Sequence, residues 1–392
     1  MVAKTETNGE LSMPITVQAG GELAGPRSLE NAKEWMRDRL AKRIHPLGLT
    51  DPQATLDTIE SLRGLDGDSW ASAWIGTANR FLEKAETQMA EGNTAAARDA
   101  YYQAYGFFFL GRFPCPNHPA KEEAYRLELA AYEKFGALAE PPIVPVVVPF
   151  EAENALSNEI RFYLRKPEGV EKPPVLIMWG GVDAWKEEMT ELSNALVAQG
   201  IATIAMDNVG TGQSPLKARR NGEIQFLPVI EWVRASADLD GNRIGLIGRS
   251  FGGHWATKLA HLIPEQLRCA VNWGGGVHYM FQPEWVEASR YPDSYLMELV
   301  ETRSRMLGAK NDAEYVEGFR ALSLLDQELL SKPCAPLLLV NGKEDKQCPI
   351  ADIHLLLEHG SPKSVRLFPG GHMGFGPHTV PTIVSWVRNH LT

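Results

Sequence analysis

Residues 242–256 read Asn242-Arg243-Ile244-Gly245-Leu246-Ile247-Gly248-Arg249-Ser250-Phe251-Gly252-Gly253-His254-Trp255-Ala256. The apolar run 244–247 has the length of one buried strand, and a helix-compatible segment, 254–262, follows the glycines. Strand, sharp turn and helix with a serine at the apex is the arrangement a nucleophile elbow requires. Gly248 and Gly252 flank the serine where a Cβ would clash in so tight a turn, and Gly253 lets the helix sit close to the sheet. A glycine-rich turn with no chemical task can carry the same five letters. The surrounding chain has to decide between the two.

Working outward, short apolar runs alternate with helical patterns from residue 141 onward, the grammar of a parallel α/β sheet. Strands are expected at 143–148, 160–164, 175–179, 202–206, 243–247, 269–273, 337–340 and 364–368, and helices at 186–199, 224–235, 251–262, 350–358 and 380–390. The first two strands should form an antiparallel edge. Residues 277–331 break the alternation with a long helical stretch, 295–300 and 314–330 being its amphipathic parts. A connection that long reads as a cap over the strand ends, where open α/β sheets bind ligands.

An acyl-transfer serine needs a base, an orienting acid and oxyanion donors. Asp345 follows the seventh predicted strand in Asn341-Gly342-Lys343-Glu344-Asp345, with Glu344 as the fallback acid. His372 follows the eighth, in Pro369-Gly370-Gly371-His372-Met373-Gly374. Serine, acid and histidine in that chain order, each just past a strand, are what an α/β-hydrolase presents. The N–H of Phe251 is one expected oxyanion donor. The second is Val182 or Gly181, in the loop Trp179-Gly180-Gly181-Val182-Asp183. The loop Asp207-Asn208-Val209-Gly210-Thr211-Gly212-Gln213-Ser214 should shape the rim. It lacks the lysine of a phosphate loop, which excludes that mode of nucleotide binding. His254, His354, His359 and His378 lack such context and read as structural or surface residues; His278 is the one to watch.

Length and composition bound the rest. The 392 residues are 44% hydrophobic, enough for one large domain and a smaller one, and the formal net charge of −10 argues against nucleic acid or an anionic membrane as partner. Residues 1–25 are polar with no apolar signal core, and no run approaches a membrane span, so a cytoplasmic location is expected. The four cysteines, Cys115, Cys269, Cys334 and Cys348, have no metal-type spacing and are expected reduced; no metal and no cofactor are expected. The reading is therefore a loose arm over 1–25, a helical domain over 26–140 and an α/β domain over 141–392 with its cap at 277–331. Helical signals in the second segment include the Asp51-Pro52 start and the periods at 68–91, 94–109 and 119–135. Its surplus of Tyr, Trp and Phe, Tyr101 to Phe109 among them, reads first as core and second as one wall of a substrate pocket. No steady 34-residue period supports tetratricopeptide repeats.

Gly180 to Glu188 (Gly-Gly-Val-Asp-Ala-Trp-Lys-Glu-Glu), Gly248 to Gly253 and Asn272-Trp273-Gly274-Gly275, with the helical segment before them, resemble one branch of the α/β-hydrolases. That branch contains 2,6-dihydroxypseudooxynicotine hydrolase, fungal polyketide chain-shortening hydrolases and the fermentation–respiration-switch esterase; the similarity covers about residues 65–392. The resemblance implies hydrolysis of a C–C bond beside a ketone in a bulky aryl or polyketide-like substrate, and a homodimer built with the helical domain. It also implies a pocket glutamate after the Trp-Gly-Gly strand. Glu284 is the nearest, with Asp183 and His278 as further pocket candidates, although 278–285 departs from the pattern. Lys186 and Glu187 match the motif and should brace the oxyanion loop as an ion pair. A carboxylesterase acting on a bulky ester is the alternative. A non-catalytic binding protein on the same scaffold is the alternative of another class.

Overall fold

Runs such as Val175-Leu176-Ile177-Met178-Trp179 are apolar at every position, without the alternation of a half-wet strand. Such a run is stable only when covered on both faces. The computed structural model, which describes residues 26–359 and 361–392, buries them in this way. The eight strands are β1 (Val144–Pro149), β2 (Glu159–Arg165), β3 (Val175–Trp179), β4 (Ala202–Met206), β5 (Ile244–Arg249), β6 (Cys269–Trp273), β7 (Leu337–Gly342) and β8 (Lys363–Phe368). They form one sheet in the order β1-β2-β4-β3-β5-β6-β7-β8. β1 and β2 pair antiparallel, β2 pairs antiparallel with β4, and the remaining pairs are parallel. The expected antiparallel edge is present. The expected loose arm lies outside the described residues.

Alternate side chains of each central strand enter two different cores. Ile177, Trp179, Ile204 and Leu246 pack on one face against α7 (Leu227–Ala235), α8 (Gly252–Leu262) and α12 (Ala351–Glu358). Leu176, Met178, Ala205 and Ile247 pack on the other against α6 (Thr190–Val197), α13 (Thr379–Leu391) and the helices that precede the sheet. Those are α1 (Leu29–Lys42), α2 (Pro52–Ser61), α3 (Gly67–Ala90), α4 (Thr94–Arg112) and α5 (Pro119–Ala137). Asp51 caps α2 by accepting the Ala54 N–H at 2.8 Å, with Pro52 at the first helical position as its sequence implies. Phe107, Phe108 and Phe109 are fully buried in this second core. The aromatic run is therefore a packing surface and not a pocket wall; Phe113, just past it, is the residue from this stretch that reaches the cavity.

Between β6 and β7 lie α9 (Pro283–Ala288), α10 (Leu299–Leu307) and α11 (Asp312–Arg320). The expected helix over 314–330 stops at Arg320. Ser323 Oγ accepts the Asp326 N–H and Leu324 N–H bonds to the Val277 carbonyl, which draws the chain out of the helix and back to the strand end. Asp352, at the start of α12, accepts the N–H groups of His278, Tyr279 and Met280 and so fixes where the insertion leaves the sheet. None of the helices is long and apolar enough to cross a membrane among the described residues.

Candidate active site

Ser250 stands at the C-terminal end of β5 with φ +51°, a left-handed conformation that a side chain normally avoids. Its N–H donates to the Trp273 carbonyl at 2.7 Å, which fixes the turn to the neighbouring strand β6. A Cβ on Gly248 would stand 2.0 Å from the Gly252 carbonyl oxygen, and one on Gly252 would stand 2.2 Å from that of Gly180. Both glycines are thus obligatory, for the steric reason their spacing implied.

Ser250 Oγ lies 2.7 Å from His372 Nε2, and His372 Nδ1 lies 2.8 Å from Asp345 Oδ2. The carboxylate is held from every side. Its Oδ1 accepts the N–H of Gln347 at 2.8 Å and of Cys348 at 3.1 Å, and its Oδ2 accepts Asn341 Nδ2 at 2.8 Å. Glu344 is exposed and its own N–H is spent on Gly370, so the fallback acid is not the one that meets the imidazole. An acceptor on one ring nitrogen and a hydroxyl on the other is the arrangement that allows the imidazole to take a proton from oxygen.

Gly181, Val182 and Phe251 border the same cavity as Ser250. The N–H groups of Val182 and Phe251 have no hydrogen-bond partner among the described residues. Gly181 passes so close that a Cβ there would stand 2.9 Å from that of Ser250. The loop carrying Val182 is anchored from below by a residue that the sequence reading did not single out. Arg112, at the end of α4, is fully buried. It donates to the Asp183 carbonyl at 2.8 Å, to Glu128 Oε2 at 3.0 Å and to Glu188 Oε2 at 3.2 Å, with its guanidinium 3.6 Å from the Trp185 ring centroid. Glu188 also accepts the Tyr105 hydroxyl at 2.6 Å and the Trp185 N–H. An arginine ending the apolar run of α4, with Glu128 on the buried face of the next helix, was the available signal.

Lys186 does more than pair with Glu187. Its ammonium stands 2.8 Å from Glu187 Oε1 and 2.8 Å from Asp207 Oδ2, and its N–H donates to Asp207 Oδ1. The loop carrying Val182 and the Asp207 loop are thereby one buried ionic unit. A 3-10 turn over Glu187–Met189 precedes α6, so that helix begins at Thr190 and not at 186. Burial would lower the Lys186 pKa, but Asp207 and Glu187 outweigh it and hold the amine above its ordinary value. Burial pushes the Glu187 carboxyl up to about 7 against the opposing pull of Lys186.

The cavity in front of Ser250 measures about 370 Å³, and Phe113, just past α4, forms part of its wall. Trp35, Arg39 and His45 come from α1 and the turn after it. Met280, Tyr295, Leu296 and Arg303 come from the insertion, and the rest from the elbow and the loops around it. Trp35 Nε1 donates to the Asp293 carbonyl at 3.2 Å and Arg39 Nη2 to the Ser294 carbonyl at 2.8 Å, which straps residues 293–296 over the opening. Asp183 lines this cavity, as expected, with its Oδ2 3.4 Å from His45 Nε2. Burial would raise its pKa, but His45, Tyr295 and Arg112 outweigh that and hold it at about 2.

Two expected pocket residues are elsewhere. Glu284 is exposed on α9, because Trp285 and Val286 take the inward face of that short helix. His278 bonds Ser323 Oγ at 2.8 Å outside the cavity wall. His254 is buried on α8 with its ring 4.9 Å from Phe281, and burial keeps it neutral, a structural position as its context implied. Two sets of possible ligands come together in the fold although their spacing in the chain does not suggest it. Asp345, Cys348 and His372 converge, as do Glu128, Glu187 and Glu188, because they come from different elements. Both sets have other partners already: the first is the hydrogen-bonded relay itself, and Arg112 and Lys186 hold the second. All four cysteines are free and buried.

With the relay and its cavity described, comparison with known proteins places the chain. The esterase FrsA-like family profile matches residues 49–369. The chain belongs to the FrsA-like esterase family. It is 28% identical to the α/β hydrolase ucsC of an Acremonium species over 236 residues, 54% of this chain and 48% of that protein. It is 28% identical to 2,6-dihydropseudooxynicotine hydrolase of Paenarthrobacter nicotinovorans over 212 residues, 53% and 55% of the two chains. Esterase FrsA of Photobacterium profundum is 21% identical over 344 residues, 86% of this chain and 80% of that one. The aligned part thus spans about half the length of the first two relatives. The crystal structure of 2,6-dihydroxy-pseudo-oxynicotine hydrolase superposes with a TM-score of 0.75 at 21% identity, covering 91% of this chain and 96% of its own, which shows the shared fold. These relatives are named hydrolases and esterases, and the fold this chain shares with them is the α/β-hydrolase fold. The FrsA-like match takes in Arg112, Ser250 and Asp345 and ends before His372, whose assignment rests on its hydrogen bonds.

Proposed function

We propose that the protein is a serine hydrolase that cleaves a C–C bond beside a ketone in a bulky aryl-ketone or β-diketone substrate. The observation that carries this reading is the continuous relay from Asp345 through His372 to Ser250 Oγ at the wall of a large cavity. Ser250 Oγ attacks the ketone carbon while His372 Nε2 takes its proton, and Asp345 holds the imidazole in the useful tautomer and stabilises its charge. The N–H groups of Phe251 and Val182 (or Gly181) receive the oxyanion. Collapse of the adduct breaks the C–C bond, and the departing carbanion or enolate takes its proton from His372. Water, activated by the same histidine, then releases the acid and restores Ser250. The match to a 2,6-dihydropseudooxynicotine hydrolase supports the C–C reading. The longer match to esterase FrsA supports a second one, in which the same residues cleave a bulky carboxylic ester and the leaving group is an alcohol.

A fluorophosphonate probe on the purified protein tests the nucleophile. Ser250 should be labelled and Ser250→Ala should not; absent labelling of the wild type, or equal labelling of both, sinks the assignment and favours a non-catalytic role. A panel of p-nitrophenyl esters beside 1,3-diketones and aryl ketones then separates the chemistries. Turnover confined to esters discards C–C cleavage.

A further inference from the structure

Three arginines, Arg39, Arg249 and Arg303, line the cavity in a chain whose formal net charge is −10. The ion pairs at this wall are His45–Asp183 and His372–Asp345; none of the three arginines belongs to one among the described residues. Arg39 is engaged in fastening the strap: it donates to the His45 carbonyl at 3.0 Å and the Ser294 carbonyl at 2.8 Å and lies 4.2 Å from the Trp35 ring centroid. The other two are less occupied. Arg249 donates once, to the Glu188 carbonyl at 3.2 Å, and its buried Nε has no partner. Arg303, on α10, is 6% exposed, and its Nη1 donates to Ser289 O at 3.1 Å and Oγ at 2.9 Å. Its Nε and Nη2 have no partner among the described residues.

A guanidinium withdrawn from water without a counter-charge is costly, and it persists where something else supplies the charge. The protein does not supply it here: Asp183 is the carboxylate of the cavity wall, and it is taken by His45. The counter-charge then has to arrive with the occupant. The planar fork of arginine matches two coplanar oxygens that share a negative charge, as in a carboxylate or the enolate of a 1,3-diketone.

We propose that Arg303 is the subsite for a carboxylate carried by the substrate, remote from the scissile bond, so that the enzyme prefers carbonyl compounds bearing a carboxylate. Arg249, next to Ser250 in sequence, adds to the same positive field. This substrate class rests on the serine-hydrolase reading above.

The test compares two esters of equal acyl length, p-nitrophenyl valerate and p-nitrophenyl hydrogen glutarate, in the full-length protein. The wild type should favour the anionic ester by about tenfold or more in kcat/KM, and Arg303→Met should cut that ratio roughly 10- to 100-fold, through KM. Arg303→Lys should recover part of it. A merely structural arginine would change the thermal midpoint and leave the ratio in place. A ratio that moves less than about threefold, or a wild type that favours valerate, overturns the proposal. Glutarate alone should raise the midpoint of Ser250→Ala and leave that of Arg303→Met unmoved, a readout that needs no turnover. Failed labelling with glutarate binding intact defeats the serine reading; intact labelling with no glutarate effect defeats the subsite. Acetylacetone and 2,4-dioxopentanoate repeat the comparison on diketones. A rise in the midpoint of Ser250→Ala with the second alone, absent when Arg303→Met is added, supports the carboxylate subsite, and the same response to both or no dependence on Arg303 overturns it.

Discussion

Replacing Arg112 with methionine should damage both the stability and the proposed chemistry of the protein, although its closest approach to Ser250 is through a loop. The side chain is buried and holds two acids, Glu128 and Glu188, that have no exposure of consequence. Removing one partner of such a cluster strands the other charges, at about 3–5 kcal/mol. At about 2.1 cal/mol/K per residue, the 392 residues unfold with roughly 0.8 kcal/mol/K, so the thermal midpoint should fall by about 4–6 °C. The same substitution removes the anchor on the Asp183 carbonyl, one residue past Val182. Loss of an oxyanion donor outright costs about 10²–10³ in rate; a loosened one should cost about 10- to 100-fold in kcat. Differential scanning fluorimetry and steady-state turnover of a p-nitrophenyl ester read the two effects. Arg112→Lys retains the charge without the fork, so it should recover stability more fully than kcat. A Met variant with a lowered midpoint and unchanged kcat would refute the link to the oxyanion loop, and an unchanged midpoint would refute the network itself.

Other outcomes follow from the same geometry. Asp345→Asn should lower kcat by about 10⁴-fold while the exposed Glu344→Gln changes it less than about threefold; the reverse would move the orienting acid back one residue. Asp183 is held at about 2 in the folded chain, below its ordinary 3.8, so its contribution is complete above about pH 4 and is lost as pH falls. The urea stability of wild type over Asp183→Asn should therefore shrink by about 1 kcal/mol between pH 5 and pH 3, and a constant difference would contradict the assignment. The homodimer implied by the resemblance should give twice the monomer mass in size-exclusion chromatography with light scattering; a monomer at all concentrations would dismiss it.

What could be read from the sequence was the part of the site carried by short segments. Ser250, Asp345 and His372 each follow a strand by a few residues, and parallel strands deliver their C-terminal ends to one rim, so local punctuation plus a count of strands was enough. The walls of the cavity come from contacts across long stretches of chain, which periodicity does not encode. Glu284 was sought near the Trp-Gly-Gly strand and is instead on the outer face of α9. His45, which pairs with Asp183, comes from 138 residues earlier in the chain. The helices before the sheet looked like a separate unit for the same reason: their aromatic periodicity reports burial but not against what. In the folded chain they hold the loop carrying Val182 from beneath through Arg112 and the strap from above through Trp35 and Arg39. The α/β sheet supplies the relay by itself, while the position of Val182 and the roof of the cavity depend on α1 and α4. A version of this chain lacking α1 to α5 would therefore expose Glu188 and Leu176 together, losing the site's geometry and a core face at once.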